Sequence, residues 1–382
     1  MKKNRKKKSY MKGAILFLCF TLVLLGVVLV AVSQRGNLQK LISANADEQS
    51  EQEQPGREQP KPEEPKPVTI TISATGDCTF SPTQSHGYAG SFHEYYDKFG
   101  AGYFMAGVKD IFEQDSFTIA NLECALSDSS QRAEKEYVLV GKPEYAGVLS
   151  EGSIEGVSLA NNHSLDAFES GLQNTMDAVS AQGVGYAYYD QVGTYETPEG
   201  ITIGYVSSSL LSQGADREEY LRTGIEKLKE MQVDMIIACC HWGEERTYYP
   251  TEYQKKMAHN CIDWGADLVI GNHPHVVQGI ENYNGKMICY SLGNFCFGGN
   301  SNPGDKRTFI YQQKFTFVDG QLQDDFSARI IPCRVSSVAG YNDYQPTPVE
   351  GEEGDGILQA MREYSLNFLQ GGIDGEGVIY TE

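Results

Sequence analysis

From Val68 onward the sequence alternates short apolar, β-branched runs with helix-periodic segments, and that alternation restricts the chain to an α/β body with a largely parallel sheet. The strand-like runs are VTITISATGD (68–77), FTIANLE (117–123), IEGVSLANN (154–162), ITIGYVSSS (201–209), DMIIACCHW (234–242), DLVIGNH (267–273) and MICYSLGN (287–294). Helical spacing falls between several of them: 171–182 stops at Gly183, 217–231 follows, and 253–264 stops at Gly265. After residue 307, TFIYQQKFTFV and FSARIIPCRV flank Asp319-Gly320, a hairpin signal. The domain is expected over 68–335. Residues 336–382 read as a tail packing on it, acidic and Pro/Gly-punctuated at first, with a short helix near 357–370.

The polar residues sit at the ends of these runs. The first ends at Asp77, the second at Asn121-Leu122-Glu123, the third at Asn161-Asn162-His163, another at His241, and another reaches His273 and His275. In an open α/β sheet the C-terminal tips of parallel strands converge on one edge, where sites gather. Singly, each has an ordinary role: Asp77 as a turn residue, Glu123 as a solvated loop end, the asparagines as caps. Together they require five strands to end alike by coincidence. A cluster of carboxylate, amide and imidazole suits one or two divalent ions (Mn, Fe, Zn or Mg). With one bridging carboxylate it can hold two ions about 3.5–4 Å apart, a geometry used for phosphoryl-ester hydrolysis.

His273 and His275 flank Pro274 at the end of an apolar run bounded by Gly265 and Gly271. Proline biases the preceding residue toward extended backbone. Residues i and i+2 of an extended segment face one way, so both imidazoles are expected to leave the strand on one side.

Charge is segregated. Seven basic residues fall within the first twelve positions, leaving 24 basic against 51 acidic residues beyond them, a net of −27. Such an acidic body argues against nucleic-acid or anionic-polymer binding by bulk charge, though not against a local cationic metal site. Ala14 to Val32 is an uncharged apolar run about long enough to cross a bilayer, and the basic cluster before it orients the N-terminus to the cytoplasm. The expected order is a cytoplasmic tail (1–12), a single-pass anchor (13–33) and a Glu/Gln/Pro-rich disordered tether (34–67) that holds the body outside the cell membrane. Ala44-Asn45-Ala46 has the form of a signal-peptidase site, but it lies well beyond the apolar run, which favours an uncleaved anchor. Eight of the nine cysteines lie in the body, several inside strand-like runs, and read as small buried hydrophobes rather than a disulfide framework.

The ordered set GD (76–77), NLE (121–123), SLANNHSLDAFESGL (158–172), HWGEE (241–245), GADLVIGNHPHVVQG (265–279) and YSLGNF (290–295) resembles the CapA family. These are membrane-anchored proteins linked to poly-γ-glutamate capsule synthesis, themselves similar to calcineurin-like metallophosphoesterases. The resemblance spans roughly 68–335. It implies a metallophosphoesterase-like sandwich of β-sheets flanked by helices, preceded by one transmembrane helix. It also implies Asp77 as the first-strand metal ligand, Glu123 in place of the bridging aspartate, and Asn162, His241, His273 and His275 as further ligands. His163 would be the leaving-group acid.

Two departures stand out: Thr79 occupies a position where the phosphoesterases usually carry a histidine, and Glu123 is longer than the aspartate it replaces. Asp166 either orients His163 or caps the helix starting near Ala167. Glu244 and Arg246 either meet substrate or belong to a solvated loop. His86, His93 and His259 read as surface or packing histidines. The implied partners are an anionic envelope polymer, poly-γ-glutamate first, or a phosphoester, with a polyglutamate synthase complex at the membrane. The alternative to a metal-dependent hydrolase is a non-enzymatic assembly or polymer-binding partner of that synthase.

Overall fold

Two β-sheets lie face to face because their strands are apolar on both sides and must be covered twice. The computed structural model describes residues 66–381 except Gln213 and Gln370. The expected basic tail, the anchor and all but the last two residues of the tether lie outside the described residues. Among the described residues no helix is long and apolar enough to cross a membrane.

The main strands are β1 (Val68–Thr79), β2 (Phe117–Leu122), β3 (Gly156–Ser158), β4 (Thr202–Ser209), β5 (Met235–His241), β6 (Leu268–Asn272), β7 (Lys286–Cys289), β8 (Asn294–Phe297), β9 (Arg307–Val318) and β10 (Ser327–Arg334). The main helices are α1 (Phe92–Phe99), α2 (Phe168–Ala181), α3 (Ala215–Glu230), α4 (Glu252–Trp264) and α5 (Gly351–Ser365). In the first sheet β1 pairs in parallel with β2, then β3 and Gly185–Ala187 follow. On its other side come antiparallel β9 and β10 and a C-terminal hairpin of Gly371–Ile373 and Val378–Thr381. In the second sheet β4, β5, β6 and β7 are parallel neighbours. The architecture is a mixed α/β fold, with the parallel half of each sheet supplying the tips.

Strand periodicity decides what faces what. Phe117 and Ile119 of β2, Met235, Ile237 and Cys239 of β5, and Leu268 and Ile270 of β6 share the core between the sheets. The alternate residues pack outward. Ala120 and Leu122 meet Leu172, Met176 and Val179 of α2, while Ile236, Ala238 and Val269 meet Leu221 and Ile225 of α3 and Met257 and Cys261 of α4. Helix α4 opens with a reciprocal cap, the Thr251 side chain accepting from the Gln254 N–H and the Gln254 side chain from Thr251.

Two sequence expectations change. The run 154–162 is strand only over β3, because Asn161 bonds its own turn: the Ser164 hydroxyl donates to the Asn161 carbonyl, and the His163 N–H to the Asn161 side chain. The run 287–294 is not one strand. It leaves the second sheet at Cys289 and enters the first at Asn294, turning at Gly293, whose φ is +74°. The Asp319-Gly320 turn forms with both residues at positive φ (+51° and +72°), the conformation of a tight hairpin. Beyond residue 335, α5 packs Ile357, Leu358 and Met361 into the inter-sheet core, and the terminal hairpin extends the first sheet.

All eight cysteines among the described residues are buried and free. Cys239 and Cys240 face opposite sides of β5, and both sides are covered.

At the far end of the first sheet from the strand tips, Glu155 accepts the Thr118 N–H at 2.8 Å. Burial pushes its carboxyl up to about 7, with that hydrogen bond opposing and Asp115 adding to the rise. A carboxyl raised on folding contributes fully below its unfolded value, about 4.5, and that contribution is lost as pH rises through about 7. Glu155→Gln is therefore expected to raise unfolding stability by about 1–3 kcal/mol at pH 8 and to be nearly neutral at pH 4.5, read from urea midpoints at the two pH values.

Candidate metal centre

An irregularity in β1 turns Asp77 toward the second sheet. Ile70, Ile72 and Ala74 face the inter-sheet core, but past a register shift between Ala74 and Asp77 the residues Cys78 and Phe80 face the helices instead. Only glycine fits at the shift, since a Cβ on Gly76 would lie 1.9 Å from the Gly293 carbonyl oxygen. The Asp77 N–H donates to that same oxygen at 2.9 Å.

The other strands need no such device. Along β2 the inward positions run Phe117, Ile119, Asn121, Glu123; along β5 they run Met235, Ile237, Cys239, His241. Each series changes from apolar to polar at the tip, and the tips meet. Asn121 Nδ2 donates to Asp77 Oδ1 at 2.7 Å and lies 3.4 Å from His241 Nδ1. His241 Nε2 lies 2.7 Å from Asn162 Oδ1 and 3.5 Å from Glu123 Oε1. His275 Nδ1 is 3.2 Å from Asp77 Oδ2, and its Nε2 is 3.8 Å from Glu123 Oε1.

The turn carrying the paired histidines departs from expectation. His273 and His275 are not extended: their φ angles are +96° and +57°. β6 ends at Asn272, and a left-handed turn follows that costs about 1–3 kcal/mol per such residue unless its surroundings over-determine it. Those surroundings are present. The Arg246 N–H donates to the Pro274 carbonyl at 2.8 Å. Asn294 holds His275 twice, its Oδ1 3.0 Å from Nδ1 and its Nδ2 donating to the His275 carbonyl at 3.2 Å. The rings of His241 and His273 end 4.8 Å apart, and those of His273 and His275 5.5 Å apart.

Whether these residues fit an ion is answered by Glu123. It is wholly buried, and neither carboxylate oxygen has a hydrogen-bond partner; buried Nδ1 of His273 also lacks one. An unpaired buried carboxylate is heavily penalised, and a cation bound among these donors removes the penalty. The donor atoms of Glu123, His241 and His273 lie within 4.8 Å of one another, as do those of Asp77, Glu123 and His275. Two sets sharing one carboxylate fit one or two divalent ions with nitrogen and oxygen donors.

Without an ion the charge states divide. Burial and the Asp77 charge drive the Glu123 carboxyl well above its usual range. Burial, reinforced by neighbouring imidazoles, holds His241 well below 6.5 and His273 down to about 4, so both carry lone pairs. Burial also works against charge on His275, but Glu123 and Asp77 outweigh it and raise it to about 10.

His163 and Asp166 form a dyad beside this cluster. His163 Nδ1 lies 2.7 Å from Asp166 Oδ2, whereas α2 has no side-chain cap, so Asp166 orients the imidazole rather than capping the helix. With Nδ1–H donated to Asp166, Nε2 is the free nitrogen. Lys135 Nζ donates to Asp166 Oδ1 at 2.5 Å and to the Asn162 carbonyl at 2.7 Å. The Leu139 N–H donates to Asp166 Oδ2 at 2.6 Å. A cleft of about 720 Å³ opens at this edge, lined among others by Tyr137, His163, Glu245, Arg246, His275 and Phe297.

Sequence reasoning placed Asn121 at a strand tip without giving it a role, and missed Lys135 and Glu245. Thr79 is buried, and its hydroxyl donates to the Glu123 backbone carbonyl at 3.3 Å. His93 meets Tyr145, His259 meets Glu281 and stacks on Tyr283, and His86 lies in the loop after β1, all apart from the cluster.

Comparison with known proteins returns the same region. The family model described as bacterial capsule synthesis protein PGA_cap matches residues 71–299. The chain is 30% identical over 220 residues to the PGA biosynthesis protein CapA of Bacillus subtilis (strain 168), covering 52% of this chain and 57% of that protein. It is 28% identical over 229 residues to the capsule biosynthesis protein CapA of Bacillus anthracis, covering 53% and 56%. A probable polyglutamine synthesis accessory protein of Mycobacterium tuberculosis (strain ATCC 25618 / H37Rv) is 25% identical over 254 residues, covering 57% and 66%. The chain thus spans little more than half the length of the two Bacillus relatives.

An ion entering this cluster at pH 7 must displace protons, because His275 and Glu123 are both held above their ordinary values. Calorimetric titration with Zn²⁺ in buffers of different ionisation enthalpy is expected to register at least about one proton released per chain, and affinity should rise about tenfold for each unit by which pH is raised, per proton displaced. Binding heats independent of buffer would contradict this.

Proposed function

The chain belongs to the bacterial capsule synthesis protein family, and from that premise we propose that it is a membrane-anchored, outward-facing protein serving synthesis or export of an anionic envelope polymer, poly-γ-glutamate first. In this reading the strand-tip cluster is a metal-dependent, phosphoesterase-like hydrolytic site. The observation that carries it is the buried Glu123 carboxylate, neither oxygen hydrogen-bonded, shared by two donor sets. The anchor rests on the apolar run at 13–33 and the basic residues before it.

Asp77, Glu123, Asn162, His241, His273 and His275 would hold the ion or ions. When bound, such ions polarise a phosphoryl or carbonyl oxygen and supply a nucleophile near neutral pH. The chain's own residues do the rest. Asn294 and Asp77 fix the His275 ring, and Asn121 fixes Asp77. Burial holds His163 below its ordinary value and disfavours its charged form, and Asp166 at Nδ1 opposes this, so that a proton on Nε2 can pass to a leaving oxygen in the cleft. Arg246 and the aromatic rings of Tyr137 and Phe297 line that cleft and exclude water from one side of a bound chain.

A second reading is favoured by Thr79. A threonine at that position supplies no imidazole, and its hydroxyl is taken up by the Glu123 backbone carbonyl. A centre short of one ligand suits metal-bridged polymer binding within a synthase complex as well as hydrolysis.

His163 separates the two. For a hydrolase, His163→Ala should lower turnover of an aryl phosphodiester by about 10²–10⁴-fold while metal content by elemental analysis stays at the wild-type level. Full polymer output from cells carrying that variant, with no phosphodiesterase activity in the wild type, would point to the assembly role instead.

A further inference from the structure

The loop after β5 brings a third carboxylate to the candidate metal centre. Past His241 the chain turns at Gly243 (φ +84°) and Arg246 (φ +61°), and the Arg246 N–H donates to the Pro274 carbonyl. That bond ties the loop to the turn bearing His273 and His275. One Glu245 oxygen and one nitrogen each from His273 and His275 lie within 4.8 Å of one another. Glu245 is exposed on the cleft side, whereas His273 is buried, so this carboxylate approaches from solvent. Its neighbour Glu244 belongs to no such set.

On the metal reading given above, we propose that Glu245 is a metal ligand, closing the centre from the solvent side. Its place matters for what the cleft can take. Asp77, Glu123 and Glu245 bring three formal negative charges. Two divalent ions outweigh these three charges and leave the centre net positive. The fully loaded centre therefore draws an anionic group, a phosphoester or a carboxylate. A carboxylate on a solvent-side loop is also the ligand that an incoming anion can displace without disturbing the buried donors.

The test compares the purified full-length chain with Glu245→Gln and Glu244→Gln, each stripped of metal, dialysed against graded Mn²⁺ or Zn²⁺ and assayed for bound ion by elemental analysis. Equal melting temperatures of the metal-free proteins establish that all three fold alike. The expected result is that Glu245→Gln loses one equivalent or binds its weaker ion at least about tenfold less tightly, with Glu244→Gln matching the wild type. Identical binding by wild type and Glu245→Gln overturns the ligand role while leaving the metal centre intact, as does equal weakening by the two variants. A wild type that takes up no ion overturns this inference together with the functional reading on which it rests.

Discussion

The arrangement of this molecule turns on one carboxylate. Glu123 is buried at the tip of β2 with neither oxygen hydrogen-bonded, a position no strand end would hold for packing reasons. Around it the fold spends its irregularities: the register shift at Gly76 that swings Asp77 inward, the sheet-crossing turn at Gly293, and the left-handed backbone at His273 and His275. Each brings a polar group or a backbone contact to the same edge. Below that edge the inward positions of the same strands are Phe, Ile, Met, Cys and Leu, and the core they form is ordinary. The low dielectric that makes Glu123 costly alone is also what strengthens its attraction to any cation that reaches it.

Much of this was legible in the sequence because strand periodicity survives in the fold. The inward series of β2 and β5 end in Glu123 and His241, as the polar tips predicted, and α2, α3 and α4 fall close to their expected limits, whereas α5 lies about six residues earlier than expected and α1 was not foreseen. The backbone of the HPH segment was not legible. Pro274 argued for an extended His273, but long-range contacts from Arg246 and Asn294 outweigh a local bias. The sequence-near reading of 287–294 as a single strand failed similarly. A continuous apolar run does not reveal that its two halves serve different sheets. Lys135 and Glu245 come from polar loops with no period, so only the assembled tertiary structure brings them to the cluster.

The Asp166 carboxylate links two parts of the cleft. It accepts from His163, Lys135 and the Leu139 N–H, and the Ala133 N–H donates to its backbone carbonyl. The segment 133–139 is thereby pinned beside the same cleft that His163 lines. Orientation of the imidazole and order of that segment are two outcomes of one set of hydrogen bonds, and any change at Asp166 alters both. This couples the shape of the cleft to the protonation pattern of the group placed to do chemistry in it.

The eight free, buried cysteines carry a different consequence. Each is covered as any small apolar side chain would be, and none contributes a crosslink to the body. Folding of the described residues therefore makes no demand on oxidising conditions or on a disulfide isomerase. Burial also shields these thiols from peroxide and from one another's chains once folded. The vulnerable interval is the unfolded one, when these eight thiols are open to mispairing.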